Sequence, residues 1–235
     1  MYILVFQTTY SEYVISLFDD TDTMLVELRT IRRPKELAAQ YLMQDILDII
    51  TEKKISLKNI SVIGVNQGPG PFSSLRVILA TANGIAHATH IPLVGTDGLV
   101  ELAREVQKIY TKKSTPVTIS FLNAFGGELY YAILSPTGDS IHAGYAQIST
   151  IITHIAELYP TPQEIIATGA GLPAIQKLLP EKLPHLTFIF DTARDTISQN
   201  WLAENTIHQF KNSNYDSQLF PRYLKSSTYV QINKN

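Results

Sequence analysis

Cysteine is absent from this chain, and tryptophan occurs once. Without cysteine there are no disulfides, no thiolate nucleophile and no sulfur-ligated zinc. The composition suits a reducing compartment, read here as the cytoplasm. No apolar run approaches the roughly 20 residues that a membrane-spanning helix needs. Residues 1–6 form a short apolar run without a basic flank, which reads as a strand rather than a secretory leader. An excess of either charge is also missing: 19 basic and 21 acidic residues leave a net charge of −2. A protein that held RNA alone would normally be basic, so RNA contact is expected only through an assembly. The small basic clusters, residues 29–35, Lys53-Lys54 and Lys112-Lys113, read as solvated loops or helix ends.

Catalytic signatures are lacking too. No Lys-Ser/Thr follows a glycine loop, so there is no Walker motif. No G-x-S-x-G elbow is present, and His154 with Glu157 makes no zincin pattern. His87 and His90 share a helix face, but no carboxylate neighbours them, so no metal site is expected. What remains is a chain of 235 residues, 45% hydrophobic and 17% charged, long enough for one large domain or two small ones.

The most informative segment is Gly68-Pro69-Gly70-Pro71-Phe72-Ser73-Ser74-Leu75-Arg76. It follows an apolar run, residues 60–65, that reads as a buried strand, and precedes a helical stretch, residues 72–90. Strand-to-helix loops often bind phosphate, but Pro69 and Pro71 have no N–H to offer. The helix is apolar or small nearly all round, and Ala80, Gly84 and Ala88 form a flat row at i,i+4 spacing on which another helix can sit. Periodicity alone leaves two readings open, a helix buried inside one domain or a partner-binding face. Ser73 and Ser74 read as helix N-cap or first-turn residues.

The segment GPGPFSSLRVILATANGIAHATHIPLVG, residues 68–95, resembles the signature of the TsaB (YeaZ) family. Asn123-Ala124-Phe125-Gly126-Gly127-Glu128-Leu129-Tyr130, Thr168-Gly169-Ala170-Gly171 and Pro221-Arg222-Tyr223-Leu224 resemble three further family segments, in the same order and spacing. Members are subunits of the bacterial machinery that adds threonylcarbamoyl to the tRNA adenosine beside the anticodon. The resemblance implies a non-catalytic subunit that binds and activates a TsaD-like transferase. It implies a TsaE-like ATPase as a further partner, a homodimer when TsaD is absent, and tRNA contact only through the complex.

The order of elements suggests an internal duplication. Strands near 2–9, 13–19 and 24–31, a helix at 35–53, a strand at 60–65 and a helix at 72–90 make the first βββαβα set. A helix at 97–110 follows. The second set has strands at 117–122, 128–135 and 140–146, a helix at 149–158, a strand at 164–168 and a helix at 173–179; a strand at 186–190 and a helix at 196–211 end the pattern. Two such sets are the architecture of the actin/hsp70/sugar-kinase (ASKHA) superfamily, an α/β fold of RNase H-like units, and the family resemblance implies the same. The expected divisions are residues 1–98 with the partner-binding helices, 99–224, and a polar tail, 225–235.

Phosphotransferases of that superfamily place carboxylates after strand one of each half to hold magnesium. Here Gln7 and Asn123 stand where the family commonly has Asp. The reading is a pseudo-ATPase with no catalytic residues, no metal and no resident cofactor, an adenine nucleotide at a subunit boundary being left open. Thr8, Thr9, Gly169 and Gly171 are the nucleotide-contact candidates, with a tight strand-to-helix turn as the plainer reading of the two glycines. The alternatives are a small-molecule kinase or ATPase using those residues, or a peptidase, for which nucleophile and metal ligands are missing. The partner-binding candidates are Leu42 and Ile46 on the first helix, and Phe72, Leu75, Arg76, Leu79, Ala80, Asn83 and Gly84 on the second.

Overall fold

A computed structural model of the chain describes residues 1–21, 24–110, 116–222 and 224. Lys112, Lys113, Tyr223 and the tail 225–235, singled out above, lie outside these residues. Three strands open the chain: β1 (Tyr2–Thr8), β2 (Glu12–Asp20) and β3 (Leu25–Pro34). Helix α1 (Ala38–Glu52), β4 (Ile60–Asn66), α2 (Phe72–Thr89), β5 (Leu93–Thr96) and α3 (Gly98–Tyr110) follow. The scheme then repeats with β6 (Val117–Phe125), β7 (Glu128–Leu134), β8 (Ser140–Gln147), α4 (Ile148–Leu158) and β9 (Glu164–Thr168). Two short helices, α5 (Leu172–Ile175) and α6 (Leu178–Lys182), strand β10 (Thr187–Asp191) and α7 (Gln199–Lys211) complete it.

The first sheet runs β3-β2-β1-β4-β5 and the second β8-β7-β6-β9-β10. In each, the first three strands are antiparallel and the last two join in parallel. The same five-strand order twice over is the duplicated RNase H-like architecture expected from the element order.

Period-two alternation divides the core. Leu4 and Phe6 of β1 enter the cluster beneath α1 and α2, whereas Ile3 and Val5 enter a central cluster with residues of α3 and α7. Val117, Ile119 and Phe121 of β6 face a third cluster with residues of α4, α5 and α6. Because β1 is covered on both faces it is apolar from Tyr2 to Phe6 and buried from Ile3 to Thr8, while β3, at the sheet edge, alternates half-buried and exposed residues. The helices cross over between the halves: α3 packs on β6 and β7 of the second sheet, and α7 on β4, β1 and β5 of the first.

Three expectations are corrected. Strand β5 is present where the sequence reading went from helix 72–90 directly to helix 97–110; its four residues are too few to show a period. The helix expected at 173–179 is broken into α5 and α6, because Pro180 lacks an N–H and its ring clashes with a helical carbonyl four residues back, at Gln176. Helix α7 starts at Gln199, capped by the Ser198 hydroxyl, which accepts the Trp201 N–H at 3.1 Å.

Candidate functional site

The ends of β1, β4, β6 and β9 approach one another where the halves meet, the position at which open α/β sheets bind ligands. The chain's own side chains fill this cleft. Gln7 is buried; its Nε2 donates to the Ile197 carbonyl at 3.1 Å and its Oε1 accepts from Thr196 Oγ1 at 3.3 Å. Tyr10 Oη donates to the Asn123 carbonyl at 2.5 Å, and its ring meets Phe125 edge-on at 6.0 Å. Burial, with a smaller contribution from Tyr130, pushes the Tyr10 hydroxyl pKa upward, so it stays a donor. Asn123 Oδ1 accepts the Phe125 N–H at 2.7 Å and shapes the hairpin. Both amides at the expected carboxylate positions are thus engaged with backbone. The space left beside Thr8, Asn66 and Gly70 is about 60 Å³, roughly two water volumes and well below the ~300 Å³ where ligand pockets begin.

Thr8 and Thr9 lie at this cleft but serve the fold. Thr8 Oγ1 donates to Ser74 Oγ at 3.0 Å, and Thr9 Oγ1 accepts the Glu12 N–H at 3.0 Å in the β1–β2 turn. Gly169 and Gly171, the other two nucleotide-contact candidates, lie close against β6. A Cβ on Gly169 would lie 2.3 Å from the Phe121 carbonyl oxygen, and one on Gly171 2.9 Å from Leu122 backbone atoms. Their missing side chains let this loop lie against β6, so the space is taken by the chain's own backbone. Pro71 is the N-cap of α2 and Ser73 and Ser74 are first-turn residues; Ser74 Oγ donates back to the Pro71 carbonyl at 3.3 Å. Among the described residues no group of three or more His, Asp or Glu could hold a metal ion. His87 is exposed, and His90 ends α2 in a left-handed conformation.

Helices α1 and α2 pack side by side on the first sheet. Four partner candidates are corrected here: Leu42, Ile46, Leu75 and Leu79 are at most 2% exposed and belong to the monomer's own core. A helix lying on a sheet turns one stripe inward, and these four residues are on it. The outward stripe of α2 carries Phe72, Arg76, Ala80, Gly84 and Ala88, all exposed. The Arg76 guanidinium lies over the Phe72 ring at 3.7 Å. A Cβ built on Gly84 meets nothing within 4 Å. On α1 the outward stripe is Ala39, Met43 and Leu47, the last two 43% and 39% exposed. The signal that the sequence carries for these three is their i,i+4 spacing.

Asn83 has another task. Its Nδ2 donates to the Leu219 carbonyl and its Oδ1 accepts the Leu219 N–H, both at 2.8 Å. This seats the C-terminal strap beside α2 and leaves a groove of about 670 Å³ lined by Gly84, His87, His90, Tyr215 and Asp216. Beneath the face, the buried Asp45 carboxylate of α1 accepts from Arg33 at 2.8 Å and from Tyr13 Oη at 2.5 Å, which ties the helix to β2 and β3. Sequence reading also missed Asn66, although its position two residues before Gly68 suits an Asx turn: Asn66 Oδ1 accepts the Gly68 N–H at 3.0 Å.

Residues 35–200 match the model of the TsaD family, tRNA N6-adenosine threonylcarbamoyltransferase. Over 93 residues the chain is 28% identical to the tRNA threonylcarbamoyladenosine biosynthesis protein TsaB of Escherichia coli, covering 40% of this chain and 39% of that relative. It is 24% identical over 151 residues to the TsaB of Buchnera aphidicola subsp. Schizaphis graminum, covering 63% of this chain and 70% of the relative. The fold is similar to YeaZ from Pseudomonas aeruginosa, with a TM-score of 0.67 at 17% identity over 94% of this chain and all of that one. A second Pseudomonas aeruginosa structure, described as similar to peptidase YeaZ, superposes with a TM-score of 0.72 at 16% identity over 95% of this chain and 99% of that one. The family-model match spans more than half of the sequence, the relatives are TsaB proteins and the fold is that of YeaZ: the chain belongs to the TsaB/YeaZ family of TsaD-related proteins.

Proposed function

We propose that this chain is a non-catalytic subunit that binds and activates a TsaD-like transferase in threonylcarbamoylation of the tRNA adenosine next to the anticodon. The observation that carries the reading is the outward face of α1 and α2, a small-residue row of Ala80, Gly84 and Ala88 beside an apolar row of Ala39, Met43 and Leu47. A second helix pair can approach such a face closely, and apolar burial at about 25 cal/mol per Å² would drive the association against its entropy cost. The names of the TsaB relatives support the pathway. On this reading a TsaE-like ATPase joins the complex, the same face pairs two copies when TsaD is absent, and tRNA is met only through the assembly. The reading places the protein in the cytoplasm; among the described residues no helix is long and apolar enough to cross a membrane.

A small-molecule kinase or ATPase on the same fold is less well supported. Such an enzyme needs carboxylates for magnesium and room for its phosphates, whereas the cleft offers Gln7, Asn123 and about 60 Å³. A peptidase reading is less well supported too: Ser74 is engaged with Thr8 and Pro71, and among the described residues no group of three or more His, Asp or Glu could hold a metal ion. The test is reconstitution of tRNA threonylcarbamoylation with the cognate TsaD-like and TsaE-like proteins, threonylcarbamoyl-adenylate and ATP. Product should require this chain and should be lost with Ala80→Glu or Gly84→Trp, both of which should fold as monomers. Equal product without the chain would end the proposal, and loss of folding in both variants would mean the face is internal.

A further inference from the structure

One buried side chain spans the cleft. Gln7, on β1 of the first half, is 2% exposed. Its Nε2 donates to Ile197 and its Oε1 accepts from Thr196, both in the segment that leads into α7. That segment is tied to the second half in turn, where the Ala170 N–H donates to the Asp195 carbonyl at 3.3 Å. On the other side, Gln7 Oε1 also accepts from Asn66 Nδ2 at 3.4 Å, and Asn66 Oδ1 holds the Gly68 N–H at 3.0 Å. The Gly68 carbonyl accepts the Gly98 N–H at 3.0 Å, which secures the loop from its far end. A continuous hydrogen-bonded chain therefore runs from the second half, through Gln7, to the loop that starts α2.

The chemistry of this position calls for an amide. It needs an N–H pointing at a carbonyl and an oxygen facing two donors, which a glutamine side chain supplies together. A carboxylate would turn an oxygen toward the Ile197 carbonyl and bury an unmatched charge. A leucine of similar size would leave the carbonyl and both donors without their partner.

We propose that Gln7 is a clamp that holds the cleft closed and fixes the Gly68–Pro71 loop and the first turn of α2 in one pose. In a phosphotransferase of this architecture, nucleotide and magnesium would bridge the halves at this level; here a side-chain amide makes the bridge. The outward stripe of α2 is then presented in a set orientation. That last consequence rests on the docking role proposed above, whereas the clamp does not, and its test uses the isolated chain.

The chain has no cysteine, so spin labels attach only where they are introduced. Lys58→Cys lies on an exposed turn of the first half and Ile141→Cys at an exposed position of β8 in the second. Pulsed electron paramagnetic resonance on the doubly labelled chain, diluted with unlabelled chain, reads the distance between the halves. The native Gln7 chain should give one narrow distance that magnesium and ATP leave unchanged. Gln7→Leu should broaden it and add a longer component at every pH. Gln7→Glu should do so at about pH 8, then recover the narrow distance as acid protonates the carboxyl, whose O–H again donates to Ile197; burial moves this recovery above the ordinary Glu value of about 4.3. A native chain whose broad distribution narrows with magnesium and ATP would overturn the proposal. So would Gln7→Leu and Gln7→Glu chains that keep the narrow distance throughout, or a Gln7→Glu broadening that acid does not reverse. Where Gln7→Glu fails to fold, Gln7→Leu and Thr196→Val decide by the same readout.

Discussion

Gly84→Ala separates the needs of the folded chain from those of a partner. Gly84 lies inside α2, where glycine costs about 0.8–1.0 kcal/mol relative to alanine because the unfolded chain has more freedom to lose. The space beside it is open, with nothing within 4 Å of an added Cβ. The isolated chain should therefore become more stable by about 0.8 kcal/mol, raising Tm by roughly 2–3 °C at this size. Calorimetry at a chain concentration low enough for sedimentation to show monomer checks that half, since pairing of two copies through this face would add to the apparent stability. If α2 is left small so that another helix can approach, the new methyl meets that helix, and overpacking costs about 1–3 kcal/mol. Affinity for the TsaD-like subunit should then fall roughly 5- to 150-fold by titration calorimetry. A variant that is more stable and binds unchanged would refute the close-approach argument. A variant that is less stable would show that the space beside Gly84 is not open in solution.

Two other substitutions test the structural account. Gly169→Ala should destabilise the fold severely, by more than about 3 kcal/mol, since φ is +102° and the new Cβ would sit 2.3 Å from the Phe121 oxygen; a normal melting curve would refute the close packing of this loop on β6. His142 stacks on Tyr131 at 4.6 Å and lies 4.8 Å from the His154 ring. Burial, and then the neighbouring His154, lower its pKa. Its contribution to stability is therefore full above the unfolded value of about 6.5 and is lost as pH falls through that value toward the folded one. His142→Phe should flatten the decline in Tm between about pH 7.5 and 5.5, and an unchanged decline would assign it to other groups.

The strand and helix order was legible because each half carries strong local signals. Residues 2–6 form an unbroken apolar run, as expected of a strand covered on both faces, and turn residues separate the elements. The failures have local causes. Strand β5 is four residues long, too short for a period to emerge, and the break between α5 and α6 depends on one proline acting four residues upstream. The candidate face was half legible. Helix α2 is apolar or small on every side, so its sequence cannot rank Leu75 and Leu79 against Ala80 and Gly84. Only its seat on the sheet turns the leucines in and the small residues out.

Gln7 shows the same division at the cleft. The sequence by itself determined that position 7 carries an amide, that the loop prolines withhold N–H groups, and that the chain repeats one α/β scheme twice. Those are properties of residue type and local order, which need no knowledge of distant neighbours. The tertiary structure alone decided that Gln7 meets Ile197, 190 positions away, that Gly169 and Gly171 lie against β6, and that Ala80 and Gly84 face outward. Each of these depends on which surfaces come together when the two halves close, and pairing at that range leaves no periodic trace in the chain.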